Sequence, residues 1–162
     1  MASATTVRLV ISSEVRLVDV VHTAAESLAG VAGFDEDDAL NVGIAVREAV
    51  INAIVHGNKR DPSRKVDVNL QARPGSIRAR VRDEGAGFDS AATPDPTLGD
   101  NLMRSSGRGI LVIRAFVDSV DFKYREGRGI EVTLKKKQRP SLNATSSTRP
   151  SVAAVDNGGI ER

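Results

Sequence analysis

The chain has 162 residues, 40% hydrophobic and 27% charged, a globular mixture that suits one domain with room for a tail. It contains no cysteine, which excludes disulfides, thiolate zinc sites and cysteine nucleophiles, and it lacks the ~18 consecutive apolar residues a membrane span needs. Of its net +2, the stretch from Lys135 onward holds six basic groups against Asp156 and Glu161, leaving seventeen basic against nineteen acidic before it.

The excess basicity is thereby assigned to the tail. Aromatics are 3% of the chain and no basic stripe with interleaved aromatics is present, so neither a nucleic-acid nor a membrane partner is expected. Met1 to Ser13 has no basic stretch followed by an apolar run and a small-residue cleavage site. No secretory signal is expected there, and a cytoplasmic setting is.

Thr6 to Ile11 reads as a strand, with Ser12 or Ser13 available to cap the next helix. From Glu14 to about Ala29, Leu17, Val20, Val21, Ala24, Ala25 and Leu28 recur at helical spacing, loosened by Gly30 and Gly33. Asp35 leads the acidic turn Glu36-Asp37-Asp38, a helix N-terminus by its charge, and that helix runs to about Val55 and stops near His56-Gly57-Asn58. Lys65 to Gln71 and Ser76 to Arg82 alternate in character and flank Arg73-Pro74-Gly75, the chemistry of a hairpin turn. Val66, Val68 and Leu70 share one face, as do Ile77, Ala79 and Val81.

Asp83 to Gly107 is polar and aperiodic, the pattern of a functional lid or a disordered segment. Ile110 to Phe116 resumes helical spacing, and Ser119 to Tyr124 with Gly129 to Leu134 form a second hairpin around Glu126-Gly127. Residues 1–137 are expected to form the domain and 138–162 a disordered basic tail. Strand, helix, helix, two strands, lid, helix, two strands predicts an α/β sandwich of two layers: a mixed, mostly antiparallel sheet covered on one face by helices.

Three clusters carry chemistry. On the second helix, Val46, Val50 and Ile54 fit the sheet-facing side. Glu48, Asn52 and His56 form a polar stripe half a turn away, beside small Ala45, Ala49 and Ala53 that would leave room for a ligand. A carboxylate, a carboxamide and an imidazole offer a base, a hard oxygen for Mg²⁺ and a hydrogen-bonding group. In Asp83-Glu84-Gly85-Ala86-Gly87, Gly85 and Gly87 permit close backbone approach to a flat ligand, and the strand-end carboxylate of Asp83 can accept from an exocyclic amine such as that of adenine. Ser105-Ser106-Gly107-Arg108-Gly109 opens a helix and is a candidate phosphate cradle, with Arg104 and Arg108 as cations near a transferring phosphoryl group. Neither a dinucleotide fingerprint nor a P-loop is present. His22 on the first helix reads as a surface or interface residue rather than a catalyst.

The run Glu48-Ala49-Val50-Ile51-Asn52-Ala53-Ile54-Val55-His56-Gly57-Asn58 resembles the N box of the ATPase superfamily that includes gyrase, MutL and the histidine kinases. Asp83 to Gly87 resembles its adenine-binding glycine box, and Ser106 to Val120 resembles the second glycine box in the form found in RsbW-like anti-sigma-factor serine kinases. The resemblance covers roughly Val7 to Leu134. It implies a Bergerat-type fold binding ATP and Mg²⁺, with Asn52 on the metal, Asp83 on the adenine, Gly85, Gly87, Gly107 and Gly109 shaping the pocket, and Glu48 as the base toward a serine hydroxyl. It further implies a STAS-type anti-sigma antagonist as protein substrate, a sigma factor as the sequestered partner, and a homodimer. The alternative is a non-catalytic ATP-binding partner switch. His22 stands where the resemblance would align a partner-contacting arginine.

Overall fold

The computed structural model describes residues 3–86, 108–125 and 127–139. Five strands form one sheet in the order β1-β2-β3-β5-β4: β1 Thr5–Ser12, β2 Lys65–Arg73, β3 Ser76–Arg82, β4 Ser119–Arg125 and β5 Gly129–Lys137. All four pairings between described strands are antiparallel. Three described helices, α1 Val18–Val31, α2 Glu36–Asn52 and α3 Gly109–Phe116, cover one face. The two-layer α/β sandwich read from the sequence is the fold observed.

Alternation builds the buried side. Val66, Val68, Leu70 and Ala72 on β2, with Ile77, Ala79 and Val81 on β3, meet Val46 and Val50 of α2 and Ile54 just beyond its end in one core. Ala45, Ala49 and Ala53 are also buried there. The 22-residue stretch Glu36–Gly57, which includes α2, has a mean hydropathy of 1.3, enough for a membrane span by length and composition. Here it is the central core helix, half of it buried against the sheet and its neighbours.

Helix ends follow local chemistry. Asp35 caps α2, its carboxylate accepting from the Asp38 N–H at 2.8 Å, and the acidic first turn sits at the positive end of the helix dipole. α1 ends in a Schellman pair: Phe34 N–H donates to Ala29 O (3.2 Å) and Gly33 N–H to Gly30 O (3.0 Å), with Gly33 at φ +92° and Phe34 buried. Gly30 stays inside the helix. The expected serine cap of α1 is absent: a 3₁₀ turn, Val15–Leu17, precedes α1 and neither has a side-chain cap. Ser13 instead donates its hydroxyl to Arg64 O at 3.0 Å, tying the end of β1 to the approach to β2. Gln138 is also anchored, its amide donating to Gly33 O at 2.9 Å and its N–H to Gly75 O at 2.8 Å.

The other face of the sheet has no helix over it among the described residues. The pleat sends Arg8 of β1, Lys65 and Arg73 of β2, Arg78, Arg80 and Arg82 of β3, Lys123 and Arg125 of β4, and Lys135 and Lys137 of β5 to this side. Against these ten cations the described strands set Asp67, Asp121 and Glu131. Helices α1 and α2 carry the reverse balance, six carboxylates to the single Arg47. The charge balance along the chain assigns the basicity to the tail, but the fold also gathers a basic surface from the domain itself.

Candidate functional site

The polar stripe of α2 and the start of α3 meet. An added Cβ on Gly109 would stand 3.0 Å from Glu48 Oε2 and 3.6 Å from both side-chain polar atoms of Asn52. A side chain at this position would press on the Glu48 carboxylate, so glycine lets the first turn of α3 approach it without displacement. Glu48 is about one-fifth exposed, Asn52 is half-buried, and Arg47 lies 3.5 Å from Glu48 Oε1. Arg108, at the N-cap position of α3, is exposed. Gly87, Arg104, Ser105, Ser106 and Gly107 lie outside the described residues.

The other pole of the site is Asp83, buried at the end of β3. Its Oδ1 accepts N–H groups from Gly85 (2.8 Å) and Ile130 (3.3 Å), and its own N–H donates to Ile130 O at 3.1 Å. Burial pushes the carboxyl above its ordinary range, and the two N–H donors pull partly against that shift. Three glycines make the position possible. A Cβ on Gly57 would overlap the Asp83 carboxylate, one on Gly85 would overlap Gly57 O, and one on Gly129 would overlap the Asp83 backbone oxygen and stand 2.6 Å from Oδ1.

Gly57 reaches Asp83 through a change in helix geometry. After Asn52 the chain winds as a π turn over Ala53–Gly57, in which Asn58 N–H donates to Ala53 O at 2.8 Å. The wider turn breaks the spacing of four, so His56 does not continue the stripe of Glu48 and Asn52 in α-helical register. His56 is largely exposed, and the partial burial of its ring, then the charges of Lys59 and Arg60, lower its pKa. Both Lys59 (φ 56°) and Arg60 (φ 60°) adopt left-handed backbone directly after the turn.

Asn58 holds these parts together. Fully buried, it donates Nδ2 to Ser13 Oγ (2.7 Å) and Lys65 O (2.9 Å) and accepts the Glu84 N–H on Oδ1 (2.8 Å). Glu84 Oε2 in turn accepts the Lys65 N–H at 2.7 Å. One carboxamide thus links the end of β1, the start of β2 and the glycine loop after β3. Sequence reading assigned no role to Asn58, Gly57 or Gly129. The available signal was Gly129, a second glycine beyond Gly127 that the hairpin turn itself does not require.

His22 is not a plain surface residue. It packs between α1 and α2, where a Cβ on Gly43 would come within 3.0 Å of its Cε1. Its Nε2 lies 3.2 Å from Glu26 Oε2, and its buried Nδ1 has no hydrogen-bond partner.

Residues 11–136 match the family model described as histidine kinase-like ATPase domain. The chain belongs to that family. Within it, the chain is 36% identical over 103 residues to an anti-sigma F factor of Geobacillus thermodenitrificans, covering 62% of this chain and 70% of that protein. It is 33% identical over 104 residues to an anti-sigma F factor of Clostridium perfringens, covering 62% and 74%. The crystal structure of the RsbU and RsbW domains of a Mycobacterium tuberculosis protein superposes with a TM-score of 0.57 at 21% identity, over 83% of this chain. The chain spans a third of that structure, and the likeness is one of fold. The RsbW-like resemblance read from the motifs is thus supported from sequence and from fold.

Proposed function

We propose that this chain is an ATP-dependent protein-serine kinase and anti-sigma factor, cytoplasmic and homodimeric, that phosphorylates a STAS-type antagonist and sequesters a sigma factor. The observation that carries the reading is the meeting of Glu48 and Asn52 with the glycine-opened N-terminus of α3. A base and a metal-binding oxygen there face backbone N–H groups suited to phosphate. The named anti-sigma F relatives supply the partner class.

The residues present fit ATP and Mg²⁺. Among the described residues no three His, Asp or Glu side chains converge into a self-sufficient metal cage. Mg²⁺ needs none, because it is commonly held by one or two protein oxygens with phosphates and water. Asn52 would supply its carbonyl oxygen, and the bound ion would neutralise charge on the phosphates. Asp83 would accept the adenine amine, the glycines around it letting the backbone close tightly on its carboxylate and hold it in place. Gly109, with the residues before it, would present N–H groups to the phosphates.

Glu48 takes the proton of the incoming serine hydroxyl as that oxygen bonds to the terminal phosphorus of ATP and the bond from that phosphorus to the bridging oxygen breaks. Catalysis of this kind rests on positioning and charge stabilisation more than on covalent chemistry by the protein. A positioned base contributes ~10²–10⁴-fold.

The test incubates γ-labelled ATP, Mg²⁺ and candidate STAS proteins with wild type and with Glu48→Gln. Serine phosphorylation by the wild type, lowered ~10²–10⁴-fold in the variant with Mg²⁺-ATP thermal stabilisation kept, is expected. Loss of nucleotide affinity together with activity would remove Glu48 from the base role. Tight ATP binding by the wild type without transfer to any STAS protein would leave a sequestering switch in place of a kinase.

A further inference from the structure

We infer that the open face of the sheet is a second docking surface, separate from the nucleotide site, and that it binds a short acidic segment of a protein partner. The inference rests on charge sorting. Ten cations against three carboxylates share one face, while α1 and α2 on the opposite side are acidic. A cavity of about 370 Å³ lies in this face, walled by Arg8, Arg80, Arg82 and Arg125 with Asp67 and Glu131 between them.

Internal pairing leaves this charge largely unspent. Asp67 holds Arg8 in a two-point contact (3.1 and 2.6 Å) and lies 3.9 Å from Arg82, while Glu131 lies 4.0 Å from Arg80. Arg78, Lys123 and Arg125 have no ion pair with a described residue. Guanidinium groups held on a rigid sheet are pre-set for two-point binding of carboxylates.

Five considerations favour an acidic polypeptide over other occupants. Five strands at ~4.8 Å spacing and seven to nine residues long give a face of roughly 600 Å². That is below the ~800 Å² each partner contributes to a standard interface, and suits a segment better than a domain. No aromatic side chain from a described strand points outward for base stacking; Phe122 and Tyr124 lie on the helix side of β4. The three interspersed carboxylates would repel a continuous run of phosphates but can meet a lysine or serine within a peptide. Val10, 56% exposed, gives this face one large apolar contact for a partner side chain. Two-fold packing of the face on itself would oppose like charges.

The experiment uses the full chain and a fluorescein-labelled twelve-residue peptide of alternating glutamate and serine with one central leucine, read by anisotropy at 150 mM salt. A lysine peptide of the same design and a double-stranded DNA of matched charge serve as competitors. The acidic peptide should bind, and Arg80→Glu/Arg82→Glu/Arg125→Glu should weaken it at least tenfold. Arg139→Gln/Arg149→Gln in the tail should leave it within twofold, and Mg²⁺-ATP thermal stabilisation should be unchanged in both variants. If the reversal variant fails to fold, Arg80→Gln/Arg82→Gln/Arg125→Gln replaces it with an expected loss of about threefold or more. The inference is overturned if no peptide binds, if the tail variant carries the loss, if DNA displaces the peptide and binds more tightly, or if low-salt self-association masks the face. ATP binding, read in the same samples, separates this outcome from failure of the kinase reading.

Discussion

Beneath the helices, the site around Asp83 is shaped by side chains that are missing: Gly57, Gly85 and Gly129 each leave a space that a methyl group would fill with a clash. On the open face of the same sheet more than half of the outward positions carry a charged side chain, and the surface is made by alternation alone. Asp83 is the first residue after β3, whose Arg78, Arg80 and Arg82 look the other way. A chemical site in this fold therefore depends on a few close contacts, each intolerant of change. The charged face depends on a sum, in which any one residue can be lost cheaply.

Substitutions can break or sharpen that contrast. Gly129→Ala should have the largest effect, because it combines a φ of +82° with overlap onto the Asp83 backbone. A loss of about 3 kcal/mol or more is expected by chemical denaturation, against less than about 0.5 kcal/mol for Arg80→Gln on the open face. Equal losses would end the comparison.

Asn58→Ala strips partners from Ser13, Lys65 and Glu84 at once and should cost about 2–3 kcal/mol, most of it from buried groups left unpaired. Asp83→Asn separates binding from stability. Burial raises the Asp83 pKa above 3.8, so the folded state holds the proton more tightly than the unfolded chain. Its contribution to stability is then greatest below the unfolded value and is lost as pH rises through the raised folded value. The variant should lose ATP-dependent stabilisation at pH 7, yet melt no lower than wild type without nucleotide, the gap closing as pH falls toward 3.8. Melting curves across pH, with and without Mg²⁺-ATP, check both halves. The smallest effect is Lys59→Gly, which relieves left-handed backbone and should raise stability by about 0.5–1 kcal/mol.

The sequence discloses these regions unequally. The hairpins, the sheet-facing stripe Val46-Val50-Ile54 and the strand-end position of Asp83 follow from periodicity and turn chemistry, because burial of one face imposes a repeat of two or nearly four. Glu48 and Asn52 are legible for the same reason, and Gly109 opposite them because a glycine opens the helix. The π turn leaves no periodic signature, since one extra backbone residue in a helix changes phase only after it has passed. Gly129 meets Asp83 across 46 residues of chain, a contact fixed by the β3–β5 pairing rather than by anything local. The basic face was hidden by summation. Reading β2 and β3 for their buried positions, and adding charge along the chain, cancels arginines on one side of the fold against carboxylates on the other.

The π turn at Ala53–Gly57 also makes chain length here a functional quantity. Deleting one residue between 53 and 57 would restore ordinary α winding and a smoother helix, and would draw Gly57 away from the carboxylate it now touches. The reading frame of this helix is thus set by its last turn. The segment can accept conservative exchange of its apolar residues more readily than any change in their number, and a homologue with a gap at this point should be expected to bind its nucleotide differently or not at all.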